Sequence, residues 1–207
     1  MYRPQTEALD EGDIAASFAV LRALKSPYLL FYNCGVEAGS SQGHKHLQLI
    51  PKPEEGFEIF LDSAVLSTSK WNLRQTWAQR NDSQDIAQPS AIKNVPYKHW
   101  ALAIPEESTS LDIYNQYIRL LEVTVEALKA ESAVIAYNVV ATTKWICLIP
   151  RTHQAQPDGV APTNGPGMMG MVWVADQAER DEWTKLGMSE HLAYLGVAKW
   201  LSTPIYT

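Results

Sequence analysis

The chain has 207 residues, 46% of them hydrophobic, and a formal net charge of −6. That suits one globular domain with a sizeable core and argues against a general binder of nucleic acid or anionic membrane. No apolar run approaches the length that crosses a bilayer, and Cys34 and Cys147 are too few for a disulfide framework, so a reducing, cytoplasmic setting is the expectation.

Residues 9–26 read as a helix: Ile14, Phe18, Leu21 and Leu24 recur with the 3.6 period, Asp13 is a plausible cap and Pro27 stops it. Residues 28–33 form a short apolar strand. Residues 39–51 then read Gly-Ser-Ser-Gln-Gly-His-Lys-His-Leu-Gln-Leu-Ile-Pro. A strand is expected from His44 to Ile50, and its alternation puts His44, His46 and Gln48 on one face and Lys45, Leu47 and Leu49 on the other. The small, polar loop before it, including Ser40, Ser41 and Gln42, can aim backbone N–H and hydroxyl groups at an anion. A nucleophilic histidine facing a phosphate is one reading. A two-histidine metal pair and a plain polar sheet face are the others. A metal would want a third and usually a fourth ligand, and His99, His153 and His191 sit in no ligand-like cluster with the cysteines, so no metal site is assigned.

Residues 51–56 are a turn-rich exit. Residues 57–92 are weakly patterned, with short helices expected at 61–66 and 71–77 and an exposed loop at 80–85. Residues 95–105 read as a strand bounded by prolines, and a lone histidine such as His99 is more often structural or a supporting neighbour of a site than catalytic. Residues 112–130 give the clearest helix, whose face of Ile113, Tyr117, Leu120, Leu121, Thr124 and Leu128 predicts core packing. Residues 133–150 read as a hairpin turning at Thr142, Thr143 and Lys144. The glycine series at 163–170 is by itself a weak dinucleotide motif with the wrong spacing for a Rossmann turn. Helices are expected at 182–186 and 189–201. The whole reads as a single domain of three parts: 1–56 with the histidine strand, 57–92 as a variable insert, and 93–207 as the remaining sheet and helices.

The His44-Lys45-His46-Leu47-Gln48 run, with Ser40-Ser41-Gln42 before it and Leu49-Ile50-Pro51 after it, resembles the His-x-His-x-Gln signature of the nucleotide-transferase branch of the histidine-triad superfamily. More narrowly it is similar to the fungal diadenosine tetraphosphate phosphorylases, also called ATP adenylyltransferases. Phe31 to Gly35, Tyr137-Asn138, Thr142, Lys144-Trp145 and Pro150-Arg151 fall in with that family's pattern, as does the Asn164 glycine segment, where Pro166 replaces an aliphatic residue and after which the resemblance implies an apolar strand. The resemblance implies an α+β fold, a histidine-triad-like antiparallel sheet with flanking helices. It implies His46 as nucleophile with His44 and Gln48 beside it, and Asn33, Ser40, Ser41, Gln42, Asn138, Lys144 and Arg151 as phosphate- or nucleotide-binding residues, with no metal or other cofactor. Gln48 stands where the family's hydrolases carry a third histidine. A carboxamide has no pKa near 7, which favours transfer to an anionic acceptor such as phosphate over hydrolysis.

The resemblance covers nearly all of the chain but only the C-terminal part of a typical family member. The expectation is therefore a fold truncated at its N-terminus, lacking the first strands of the family's sheet and much of the nucleoside pocket. An uncovered sheet edge argues for a homo-oligomer. Three functions compete: nucleotidyl transfer or phosphorolysis on dinucleoside polyphosphates or ADP/ATP; a repurposed enzyme acting on another small molecule with His44 and His46 as acid and base; and a non-catalytic binding or scaffold protein. All three take a small molecule or protein partner, not nucleic acid or membrane.

Overall fold

A computed structural model of the chain describes residues 2–53, 57, 59–62 and 95–199. Helix α1 (Glu11–Ala23) starts with a reciprocal capping box: the Asp10 carboxylate accepts from the Asp13 N–H at 2.8 Å, and Asp13 accepts from the Asp10 N–H at 2.9 Å. The cap is thus Asp10 rather than Asp13, because two acids three residues apart satisfy each other's amides only when the first stands outside the helix. Ile14, Phe18 and Leu21 are buried as the periodicity predicts. Strands β1 (Tyr28–Cys34), β2 (Gln48–Pro51) and β3 (Trp100–Ala103) follow, then helix α2 (Ser110–Ala130), the hairpin of β4 (Tyr137–Ala141) and β5 (Trp145–Pro150), a one-turn helix α3 (Gly165–Met168), and helices α4 (Gln177–Leu186) and α5 (Met188–Leu195).

The five strands form one antiparallel sheet in the order β2-β1-β4-β5-β3, the α+β arrangement expected. One face, carrying Leu30, Tyr32, Val139 and Leu148, packs on Ile14 and Phe18 of α1 and on Ile113 and Leu120 of α2. The other, carrying Leu29, Phe31, Val140 and Ile149, packs on Met168 of α3, Trp183 of α4, and Leu192 and Leu195 of α5. Coverage on both faces explains why β1, β4 and β5 read as continuous apolar runs rather than alternating ones. Beneath α2 the buried hydroxyls are all engaged, as burial demands. The Tyr117 and Tyr137 hydroxyls meet at 2.9 Å, Tyr117 accepts from the Leu9 N–H at 3.0 Å, and Tyr32 donates to the Gln5 and Glu7 carbonyls at 2.8 and 2.6 Å.

Several boundaries differ from expectation. The strand read at 95–105 is only Trp100–Ala103, because Tyr97 bridges to Ala198 instead. The apolar stretch after the glycines is not a strand; α3 occupies Gly165–Met168, and the following residues run over the surface with Trp173 exposed. The tail's helices break at Gly187, whose positive φ of 75° ends α4 and starts α5. Residues 60–62 are helical; the rest of the helix read at 61–66, the helix at 71–77 and the loop at 80–85 lie outside the described residues.

Candidate active site

The histidine strand begins later than the alternation suggested. The β1–β2 ladder pairs Tyr28 with Pro51, Leu29 with Ile50, Leu30 with Leu49 and Phe31 with Gln48, and stops there. His44 and His46 precede it in an extended segment that pairs with the N-terminal residues: His44 bridges Pro4, the Lys45 N–H donates to the Arg3 carbonyl at 2.7 Å, and the Gln5 N–H donates to the Gly43 carbonyl at 2.9 Å. Where the ladder would continue between Asn33 and His46, the Gln5 side chain takes the place of a peptide group. Its Oε1 accepts from the His46 N–H at 2.8 Å, and its Nε2 donates to the Asn33 carbonyl at 2.9 Å. The alternation itself holds, since Leu47 and Leu49 lie against the core that contains α1 while the Lys45 ammonium reaches Asp13 and the Ala8 carbonyl. That leaves the other face to His44, His46 and Gln48.

His46 is partly buried and His44 exposed; their rings lie 5.4 Å apart at 44°. The Nδ1 of His46 is 3.0 Å from the His44 carbonyl oxygen. A carbonyl only accepts, so Nδ1 carries the hydrogen and Nε2 carries the lone pair.

The preceding loop is shaped by two glycines. A 3₁₀ turn (Val36–Ala38) is flanked by Gly35 at φ 88° and Gly39 at φ 76°, a region that only glycine enters without strain. A side chain at Gly39 would also collide with the Thr163 carbonyl. The loop is held from below by a buried polar row. Asn33 and Asn138 are register partners, and Asn138 Nδ2 donates to Asn33 Oδ1 at 2.9 Å and to the Ala38 carbonyl at 2.8 Å. Asn33 Oδ1 also accepts from the Gly165 N–H at 3.0 Å. Arg151, fully buried, donates to Asn138 Oδ1 at 2.8 Å and to the Ala38, Leu195, His153 and Thr163 carbonyls. Burial pulls its pKa down to about 9, so it still carries its charge at neutral pH. No carboxylate is among its hydrogen-bond partners in the described residues.

The expected binding residues therefore divide. Ser40, Ser41 and Gln42 follow the Gly39 turn, and the two serines line a cavity of about 310 Å³ with Gln154, Thr163, Asn164 and Trp173. Asn33, Asn138 and Arg151 form the layer beneath, with their polar atoms committed to protein partners. Lys144 is elsewhere. The register sets Ala141 against Leu30 and Tyr137 against Cys34, so the hairpin turn lies at the Tyr28 end of β1. That is about 17 Å from Asn33 at the usual rise along a strand. Gln5 went unassigned in the sequence, for a buried glutamine in an irregular N-terminal segment has no periodicity to betray it. Among the described residues no group of three His, Cys, Asp or Glu side chains comes together as a metal site would require.

Residues 93–198 match the family model of the ATP adenylyltransferase C-terminal domain, and residues 1–65 that of the Ap4A phosphorylase N-terminal domain. The chain is 31% identical over 202 residues to diadenosine 5',5'''-P1,P4-tetraphosphate phosphorylase 2 of Saccharomyces cerevisiae, over 89% of this chain and 59% of that protein. It is 28% identical to the same organism's Protein APA1, over 83% of this chain and 54% of that one. It thus spans somewhat more than half the length of these curated relatives. The crystal structure of yeast Ap4A phosphorylase Apa2 in complex with AMP superposes with a TM-score of 0.78 at 28% identity, over 98% of this chain and 68% of the other. The complex of Apa2 with Ap4A gives 0.74 at 27% identity. On its sequence, its sheet and its histidine segment together, the chain belongs to the Ap4A phosphorylase and ATP adenylyltransferase family.

Proposed function

We propose that the chain transfers a nucleotidyl group from a dinucleoside polyphosphate, or from ADP or ATP, to an anionic acceptor through a nucleotidyl-histidine intermediate. The observation that carries this reading is the hydrogen bond between His46 Nδ1 and the His44 carbonyl, which fixes the tautomer whose Nε2 is free to attack. In the first step the Nε2 lone pair forms a bond to the α-phosphorus while the bond to the bridging oxygen breaks, releasing a nucleoside polyphosphate from a dinucleoside polyphosphate, pyrophosphate from ATP or phosphate from ADP. In the second, inorganic phosphate attacks the same phosphorus, the P–N bond breaks, and a nucleoside diphosphate leaves with His46 restored. Ser40, Ser41, Gln42 and the loop N–H groups supply donors to the non-bridging oxygens, where charge builds up. His44 and Gln48 flank the phosphate, and neither carries a negative charge to repel it. Asn33, Asn138 and Arg151 hold the loop, and the buried guanidinium adds positive potential beneath it.

The relatives' names and complexes agree with a nucleotide substrate, since one is a diadenosine tetraphosphate phosphorylase and its structures hold AMP and Ap4A. A homo-oligomer fits the same reading, with β2 an edge strand of the sheet, and light scattering on the purified protein tests it. A cytoplasmic setting fits two buried, unpaired cysteines.

The deciding experiment is incubation with ATP labelled at the α-phosphate, followed by denaturation. The wild type acquires an acid-labile label that added phosphate discharges as ADP, and His46→Gly acquires none. Absence of label in the wild type, together with no thermal shift from any adenine nucleotide, overturns the proposal.

A further inference from the structure

Lys144 stands on a second cavity. About 430 Å³ in size, it opens between the C-terminal end of α1, the segment entering β1, the residue after β2 and the β4–β5 turn. Among the described residues four cationic side chains line it, Arg22, Lys25, Lys52 and Lys144, against one carboxylate, that of Asp62. The chain as a whole carries −6, so this is a local inversion of the protein's charge.

The fold makes the cluster from three distant stretches. The Lys52 N–H donates to the Pro27 carbonyl at 2.9 Å, Pro51 pairs with Tyr28, and Ala141 pairs with Leu30. Lys52 and the hairpin turn therefore flank Tyr28 from its two sides, while the last turn of α1 brings Arg22 and the segment after it brings Lys25. Two of the cations are anchored. Arg22 Nη2 donates to the Ser108 carbonyl at 2.9 Å. Lys52 pairs with Asp62, whose other oxygen accepts from the Trp145 indole N–H at 2.9 Å. Asp62 is thereby engaged twice over, whereas the Lys25 and Lys144 ammonium groups make no hydrogen bond or ion pair with a described residue. Cations in the last turn of a helix serve its dipole, which accounts for Arg22 but not for Lys25, Lys52 and Lys144 converging on it. Ser26, Thr142 and Thr143 add hydroxyls, and Leu24, Pro27 and Tyr28 an apolar wall.

We propose that this cavity is a second binding site, separate from the histidine site, for a small phosphorylated molecule. The phosphate sits between Lys25, Lys144 and Arg22, and the rest of the ligand lies against Leu24, Pro27 and Tyr28. The size lies within the roughly 300–1,000 Å³ of small-molecule sites. A lysine is a compact point charge suited to phosphate, and an anchored arginine adds a fixed fork of donors. Its place at the far end of β1 from His46 makes it a site for a separate molecule rather than an extension of the reacting one. The proposal stands whether or not His46 is a nucleophile.

The test is a titration of the whole chain with pyrophosphate followed by backbone amide NMR, at about 0.15 M salt to screen non-specific attraction. Expected are saturable shifts at the Tyr28, Lys52 and Thr143 amides. In Lys25→Ala/Lys144→Ala, a change of two exposed side chains, the dissociation constant at that locus rises at least roughly tenfold, the equivalent of about 1.4 kcal/mol. Any shifts at Ser40 and Ser41 keep their midpoints. Lys144→Glu, which reverses a charge at the mouth, abolishes the hairpin shifts. Shifts confined to residues 39–46, hairpin shifts that never saturate, or hairpin shifts unmoved by both variants each overturn the proposal.

Discussion

Gln5 holds His46 through the backbone: its carboxamide accepts the His46 N–H at 2.8 Å and passes the connection to the Asn33 carbonyl at 2.9 Å. The side chain fills a gap in the sheet that a peptide unit would otherwise close, and it sets the distance between β1 and the histidine segment. Gln5 is thus a positioning residue, since its side chain bonds the backbone of His46 and Asn33 and not the imidazole.

Gln5→Ala removes both bonds and a third, longer one of 3.4 Å to the His46 carbonyl. The expected result is a fall of about 10- to 100-fold in the rate of His46 labelling at saturating nucleotide, because small misplacements of a reacting group cost that much. Unfolding in urea should show a loss of about 1–3 kcal/mol from the amide and carbonyl left unpaired. A stability loss with an unchanged labelling rate would reduce Gln5 to a structural part.

Arg151 is the hub of the layer below. Arg151→Met strips hydrogen bonds from four carbonyls and from Asn138, and a loss on the order of 3–5 kcal/mol is expected for breaking a buried charged network. Arg151→Lys restores the charge but not the fork, so urea midpoints should place it much nearer Met than wild type.

At Gly39 two constraints coincide, the left-handed φ of 76° and the Thr163 carbonyl beside it. Gly39→Ala is expected to keep the sheet, seen by unchanged far-ultraviolet circular dichroism, while weakening nucleotide binding at least roughly tenfold, since strained loop positions cost of order 1–3 kcal/mol. Undiminished binding by calorimetry would show that the loop shape is not required.

His99 contributes to the acid side of the stability profile. It is 2% exposed, with Nδ1 3.1 Å from the Tyr97 carbonyl and its ring against Phe60 and Tyr97. Burial pushes its pKa down from 6.5 to about 4, with Lys199 adding in the same direction. The unfolded chain takes up this proton near pH 6.5 while the folded chain resists until about pH 4. Stability is therefore full above 6.5 and falls by about 3 kcal/mol as the pH drops to 4. Urea melts across that window should show the slope in wild type and a flatter one in His99→Phe.

Much of this was legible in the chain. The helix at Ser110–Ala130 and the Tyr137–Pro150 hairpin carry strong periodic or turn signals, and the His44, His46 and Gln48 alternation gave the face correctly. What could not be read were relations made by tertiary contacts. The ladder ends at Gln48 because a distant glutamine side chain replaces the next peptide pair, and no local pattern encodes that. Arg151 and Lys144 are both basic residues at the ends of β5, yet one is sealed under the Gly39 loop and the other stands at the opposite end of the sheet. Only the strand register separates them. The apolar run after the glycines looked like a strand because hydrophobicity alone cannot distinguish a strand from a surface segment carrying an exposed Trp173.

The tyrosine hydroxyls packed beneath α2 give the protein an optical reporter at high pH. Burial raises the pKa of Tyr32, Tyr117 and Tyr137 well above the ordinary phenol value, so these rings cannot become phenolates while the core is intact. An alkaline absorbance titration should therefore split in two. Phenols at the surface ionise gradually, and the buried rings appear together in an abrupt, cooperative step that marks the collapse of the helix-covered face.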